Sequence, residues 1–367
     1  MEYVKSTIII ILFLMASDYS YSQFSGGDGT SASPYLISSL EDLLELNDST
    51  LSSKTNGRYY SLTQNISDTL RQAIGSTLAT GVTFNGNFNG NFHTITLGIS
   101  DTMITGLFCF AQRYSTSSPN VVIKNVIVDG YCTTSGIVGY VGGIAGHTDY
   151  TDITNCISFC KNTGNHYTGG IVGMASNCTF INCINVGYVT SRNRANGIVC
   201  DGPSSYITNC LNIGNVAVKN NVIYLNGICA VSASITNCFN GGLLLGAGLS
   251  SDRISGICRD VINHYSTGYL TTCINTGAII NNGSGVYSSG IEANTSTATT
   301  SSNYYDRQMC PYGGINGVDV PGQAEGKLTT NATLTGTALQ SILGADDWVY
   351  EDSLYPRLKC FDTMWAA

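Results

Sequence analysis

Three groups of side chains in this chain carry chemistry: a cysteine series, a few scattered acids and histidines, and a set of tyrosines. The cysteines are the most regular. Asn155-Cys156, Asn182-Cys183, Asn209-Cys210, Asn237-Cys238 and Thr272-Cys273 return, by subtraction, at steps of 27, 27, 28 and 35 residues. That spacing belongs to a repeat, whereas zinc sites use close pairs of ligands. His93, His147, His166 and His264 likewise never sit four apart on a helix, as paired metal ligands would. We expect no metal and no cofactor.

Fourteen cysteines in an exported chain invite a disulfide framework. Their phase argues otherwise. Equivalent positions on stacked strands lie about 4.8 Å apart, but parallel side-chain vectors suit the disulfide dihedral poorly. The expectation is an inward ladder of mostly free thiols, packing as small hydrophobes. A second ladder is expected at Cys200, Cys229 and Cys258, 29 residues apart each time. Cys109, Cys132, Cys160, Cys178, Cys310 and Cys360 fall outside both ladders and are the candidates for pairing.

Hydrolytic chemistry on a repeat scaffold would need two or three carboxylates brought together from adjacent coils. The best local cluster is His147, Asp149 and Asp152, with His166 nearby; we place the two acids in a solvated loop. Asp201, Arg253, Arg259 and Asp260 read as further loop charges. Asp and Glu do not recur at the repeat phase, so no catalytic residue is assigned and a non-enzymatic protein is expected. The alternative is a polysaccharide-active lyase or glycoside hydrolase. Gly26-Gly27-Asp28-Gly29 occurs once and reads as a plain turn rather than a calcium loop. Tyr131, Tyr140, Tyr150, Tyr167, Tyr188, Tyr206, Tyr224, Tyr265 and Tyr269 are spread through the repeats, and tyrosine on an exposed β face makes good contacts to sugars and proteins.

The elements that must position these residues follow from a second beat. Gly143-Ile144, Gly170-Ile171, Gly197-Ile198, Gly227-Ile228, Gly256-Ile257 and Gly290-Ile291 interleave with the cysteines at steps of 27, 27, 30, 29 and 34 residues. One period in two signals means one repeating unit. An apolar residue precedes each cysteine by two or three places (Ile153, Ile181, Ile207, Ile235, Leu270), a jitter that suggests bulges. Asn185, Asn212, Asn240 and Asn275 follow each cysteine by two, with Gly187, Gly214, Gly242 and Gly277 two further on. This Asn-x-Gly corner suits a positive-φ turn, and its asparagines can bond to one another along the axis. A propeller blade needs about 40–50 residues, which leaves a right-handed parallel β-helix of about 27-residue coils. We divide the chain into a signal peptide (1–22), an N-terminal cap (23–83) with a helix capped by Ser38 or Ser39, the β-helix (84–302) and a C-terminal cap (303–367).

These residues resemble bacterial surface and adhesin-like proteins that carry GLUG repeats. Gly143-Ile144-Ala145-Gly146 and Gly170-Ile171-Val172-Gly173 are the closest copies, and the later ones keep only the first glycine. Phe24 through Ile37, Phe88-Asn89-Gly90-Asn91-Phe92-His93-Thr94-Ile95, and Trp348 with Tyr355-Pro356 resemble the opening, first-coil and closing segments of such proteins. The resemblance implies the β-helix fold and a stalk or adhesive surface that binds glycans or proteins of a host or neighbouring cell.

Composition narrows the setting. Charged residues make up only 11%, Gly and Tyr number 42 and 22, and net charge is −8, which excludes nucleic acid as an expected partner because no basic cluster holds phosphates. Lys5 followed by the apolar run Ile8–Met15 and small Ser20 and Ser22 reads as a secretion signal, too short for the roughly 20 apolar residues of a membrane span. A secreted or cell-surface location is expected, with the mature chain beginning near Gln23.

Overall fold

A computed structural model describes residues 24–75, 82–219, 224–247, 253–262, 268–281, 287–294, 298–329 and 333–364. The expected signal segment, His264 and Tyr265 lie outside the described residues. The chain is a parallel β-solenoid of about eight turns with roughly 29-residue spacing. Loops lengthen the mean step beyond the 27 residues of the most regular coils.

Each regular coil visits three sheets, which we call A, B and C. In one coil, Ala145–Asp149 and Thr151–Thr154 lie in sheet A, Ile157–Ser158 and Lys161–Gly164 in sheet B, and Tyr167–Gly169 in sheet C. Every strand in the three sheets pairs in parallel with its equivalent one coil away, for example Asp152 with Thr179 and Ile157 with Ile184. Parallel stacking satisfies the backbone while leaving each coil one inward and one outward set of side chains.

The corner between sheets A and B is made by the residue before the cysteine. Asn125, Asn155, Asn182, Asn209, Asn237, Thr272 and Ser302 all adopt φ between +50° and +57°. Asparagine tolerates this left-handed region because its short amide finds local partners. Here the partner is the next coil: Asn182 Nδ2 donates to Asn155 Oδ1 at 3.0 Å, and Asn155 Nδ2 to Asn125 Oδ1 at 3.0 Å. Where Thr272 takes the place, its hydroxyl bonds the Asn237 side chain.

The positive φ was expected instead at the Asn-x-Gly corner, and that expectation is corrected. Asn185, Asn212, Asn240 and Asn275 are fully buried and point into the coil. Their amides do form the expected axial ladder: Asn185 to Asn212 at 2.8 Å, Asn212 to Asn240 at 2.7 Å and Asn240 to Asn275 at 2.7 Å. The glycines of the other beat stand across the lumen from them. A Cβ on Gly170, Gly197, Gly227 or Gly256 would collide with Asn185, Asn212, Asn240 or Asn275 respectively. Gly143 faces Ser158 and Gly290 faces Tyr305 in the same way. The two periodic signals are therefore one contact: each buried amide needs a glycine opposite it.

Cys156, Cys183, Cys210, Cys238 and Cys273 are buried inside the stack, and none of the fourteen cysteines forms a disulfide. Each of the five thiols donates to the carbonyl two residues earlier, as in Cys183 to Ile181 at 3.5 Å. Burial pushes the Cys156, Cys210 and Cys273 thiols up. The second ladder is corrected at one rung. Cys229 pairs with Cys258, but Val199, not Cys200, stands in register with Cys229. The jitter before the cysteine also disappears. Ile153, Phe180, Ile207, Ile235 and Leu270 form one fully buried column, always three residues ahead of the cysteine, and Ile181 points outward.

At the N-terminal end, helix α1 (Leu40–Leu51) begins at Ser39, whose side chain accepts from the Asp42 backbone at 3.2 Å. Its Leu43 and Leu46 are buried against the first coils. Tyr35–Ile37 and Tyr59–Leu62 flank the helix and already belong to sheet A, so the solenoid starts well before residue 84. At the other end, Asn303–Asp306 pairs with Ala324–Lys327 as a further rung of sheet B.

Residues 333–364, with short helices α2 (Gln340–Leu343) and α3 (Cys360–Met364), lie along the side of the stack. Leu334, Leu339, Leu343, Trp348, Leu358 and Phe361 pack on the outward stripe Ile157, Ile184, Leu211, Phe239, Ile274 and Tyr304 of sheet B. Asn237 Nδ2 to Asp347 Oδ2 at 2.7 Å and Tyr355 OH to Asp306 Oδ2 at 2.6 Å tie the segment down. The segment read as a C-terminal cap is a lateral strap.

Candidate binding surfaces

With one side strapped, two outward regions remain as candidate sites: the seam between sheets C and A, and the outer face of sheet A.

The seam gathers most of the residues that the sequence singled out. His147 stacks on Phe110 with ring centroids 4.3 Å apart and touches Tyr140, which meets Tyr167. Arg194 lies over Tyr167 and Tyr224, and Arg259 over Tyr224 at 4.0 Å. Arg194 pairs with Asp201 at 3.1 Å and Arg259 with Asp260 at 2.7 Å. Asp260 also accepts from Asn294, which accepts from Arg253. Charges that looked like separate loop residues thus form one network, because residues about 29 or 30 apart in sequence become neighbours along the axis. Burial raises the Asp201 pKa against the pull of Arg194, and burial lowers His147 to about 4 despite Asp149.

The network is largely self-satisfied, and the acids weighed for hydrolysis, Asp149 and Asp152, are each held by amide donors. Asp149 sits at a strand end, not in a loop, and accepts from Gln112 at 3.0 Å and Asn177 at 3.3 Å. Asp152, within a strand, accepts from Asn120 at 3.1 Å. His166 packs edge-on against Tyr167, and burial together with nearby Arg194 lowers its pKa. Among the described residues, no three His, Cys, Asp or Glu side chains converge to hold a metal ion, and no helix is long and apolar enough to cross a membrane.

The outer face of sheet A has a different character. Alternation along each strand leaves two parallel outward columns. One runs Tyr59, Asn87, Val122, Asp152, Thr179, Tyr206, Ser234, Tyr269 and Thr299. The other runs Ser61, Asn89, Lys124, Thr154, Ile181, Thr208, Thr236, Thr271 and Ser301. The hydroxyls of Thr208 and Thr236 meet at 3.1 Å, and Ser301 donates to Thr271 at 3.3 Å. Tyr59, Tyr206 and Tyr269 are 38%, 48% and 49% exposed. Only Lys124 and Asp152 carry charge in either column. Near the first coils the face deepens into a cleft of about 340 Å³, to which the opening turn contributes Ser31 and Pro34.

Of the tyrosines that the sequence singled out, the structure places Tyr206 and Tyr269 on sheet A, and Tyr140, Tyr167 and Tyr224 in the seam. Tyr131 and Tyr188 stand on sheet B with Lys161 between them. Tyr150 turns a corner at φ +46° beneath the Arg113 guanidinium. Tyr59, Asn87 and Lys124 were missed, since the first of these fell in the presumed cap; the outward Tyr59 and Ser61 beside buried Tyr60 and Leu62 were the available signal.

No family model matches the chain, and no curated protein matches it. The GLUG resemblance stands on the quoted residues alone. Among solved structures, the chain is similar to a protein from Bacteroides ovatus described as a "putative immunoglobulin A1 protease". The TM-score is 0.52 and the identity 17%, over 92% of this chain and 95% of that one. At this identity the likeness is one of fold. It nevertheless corrects the expectation of a non-enzymatic protein, which rested on Asp and Glu not recurring at the repeat phase. The same coil architecture, nearly end to end, occurs in a protein described as an enzyme, so that expectation is withdrawn.

Proposed function

We propose that the chain is an exported, adhesin-like surface module that binds an extended glycan along the outer face of sheet A, in keeping with its resemblance to GLUG-repeat proteins. The observation behind this reading is the pair of outward columns: a continuous, almost uncharged track of hydroxyls, amides and exposed tyrosine rings. Tyr206 and Tyr269 stand two coils apart, roughly 9–10 Å at about 4.8 Å per coil. That is close to the advance of two pyranose rings along an extended β-linked chain, in which alternate rings present the same face. Aromatic rings supply flat apolar platforms for sugars, and the flanking hydroxyls and amides pair with ring hydroxyls. A surface built from many weak, repeated contacts gains affinity with ligand length.

The test is a glycan array with the purified chain, scored for retention and for cleavage. Extended β-linked glycans should be retained, and Tyr206→Ala with Tyr269→Ala should weaken retention at least tenfold without changing the unfolding midpoint. Unaltered retention by the double variant would sink the assignment to sheet A. Immunoglobulin A1 belongs in the same assay as a protein ligand and substrate, because of the described activity of the structural neighbour.

A further inference from the structure

The cleft at the N-terminal end of sheet A differs from the rest of the track in charge and in the state of its polar groups. Its floor is a grid of two columns over three coils: Tyr59, Asn87 and Val122 beside Ser61, Asn89 and Lys124. Asn89 is already committed, since its Oδ1 accepts from the Asn91 backbone at 3.1 Å and from Asn125 Nδ2 at 2.9 Å. Ser61 is likewise engaged by Asn91. The Asn87 amide and the Lys124 ammonium, by contrast, make no side-chain hydrogen bond or ion pair among the described residues. In a chain with 24 acidic and 16 basic residues, an exposed lysine left unpaired in a cleft is a ready counter-charge.

We infer that this cleft takes a terminal hexuronate, an acidic sugar whose carboxylate meets Lys124. The inference rests on the glycan-binding reading of sheet A and names the sugar at one end of the track. The exposed Tyr59 ring offers a platform for the pyranose, and Asn87 supplies one donor and one acceptor for its hydroxyls. The carboxylate then lies beside an ammonium in a site of about 340 Å³, at the small end of the range for ligand pockets. The opening turn, through Ser31 and Pro34, walls the N-terminal side of the cleft, so a chain end fits better there than a chain middle. The neutral remainder of the ligand runs out over Thr179 toward Tyr206.

Titration calorimetry with two oligosaccharides, alike except that one ends in glucose and the other in glucuronate, tests this. The uronate form should bind about fivefold more tightly at low salt, as expected for an incompletely buried ion pair worth about 1 kcal/mol. The preference should vanish in Lys124→Met, which keeps the apolar stem, and near 1 M salt, where charges are screened within about 3 Å. Equal affinity for both ligands in the wild type, or a preference that survives Lys124→Met, overturns the inference while leaving glycan binding intact. Failure of both ligands to bind overturns the glycan reading, and the inference falls with it.

Discussion

Replacing Asn212 by alanine removes the middle of the buried amide ladder, and the structure sets the cost. Asn212 Oδ1 accepts from Asn185 Nδ2 at 2.8 Å, while its Nδ2 donates to Asn240 Oδ1 at 2.7 Å and to the Gly214 carbonyl at 3.0 Å. Truncation leaves Asn240 Oδ1 buried without its donor, at about 1–3 kcal/mol. Losing the Gly214 bond adds about 1 kcal/mol, and the void adds about 1 more. The expected loss is about 3–5 kcal/mol. Asn275 gives the internal comparison, because it closes the ladder. Without it, Asn240 Nδ2 keeps the Gly242 carbonyl and the Gly277 amide keeps the Asn240 carbonyl. Asn275→Ala should therefore cost only about 1–2 kcal/mol. Urea unfolding followed by circular dichroism measures both, provided the slope m is unchanged. Losses that agree within about 0.5 kcal/mol would mean the ladder carries no cooperative hydrogen bonding, and the reasoning would fail.

Two further outcomes follow from the same geometry. Thirteen of the fourteen cysteines are buried and none forms a disulfide, so iodoacetamide at neutral pH should modify at most Cys360 in the native protein. All fourteen should react after unfolding without reductant; a shortfall in pairs would reveal disulfides. His147 is held at about 4 in the folded protein, below the roughly 6.5 of an unfolded chain. Between those values the unfolded state binds the extra proton, so the contribution of His147 is fully present above pH 6.5 and is lost as pH falls toward 4. The loss should be about 3 kcal/mol, and His147→Phe should flatten the stability profile over that window. An unchanged profile in this variant would refute the assignment.

The coil was legible because its period is enforced from within. Four glycines of one beat, Gly170, Gly197, Gly227 and Gly256, face the buried amides of the other, so neither signal can drift there without a collision, and the sequence displays both. The axial asparagine ladder and the unpaired thiols were readable for the same reason. Which asparagine turns the corner was not, because Asn182 and Asn185 are equally good turn formers and only the third dimension separates them. The seam was invisible for a different reason. Arg194, Asp201, Tyr224 and Arg259 carry no common motif, and coil lengths of 27 to 35 residues scatter the spacing that would align them. The strap escaped notice because Trp348 and Leu358 read as a terminal plug, while their partners Ile157 to Ile274 read as ordinary strand residues. Tyr59 was hidden by a boundary drawn too late.

The strap changes how the molecule would carry load. A bare solenoid couples each coil only to its neighbours, so tension applied at one end can peel coils away singly. Here one segment is fastened across the flank from Ile157 to Tyr304, as a splint spans several vertebrae. Detaching an inner coil then requires shearing Trp348, Leu358 and their companions off the flank at the same time. A pull on the solenoid would thereby be met by many coils in parallel instead of one after another.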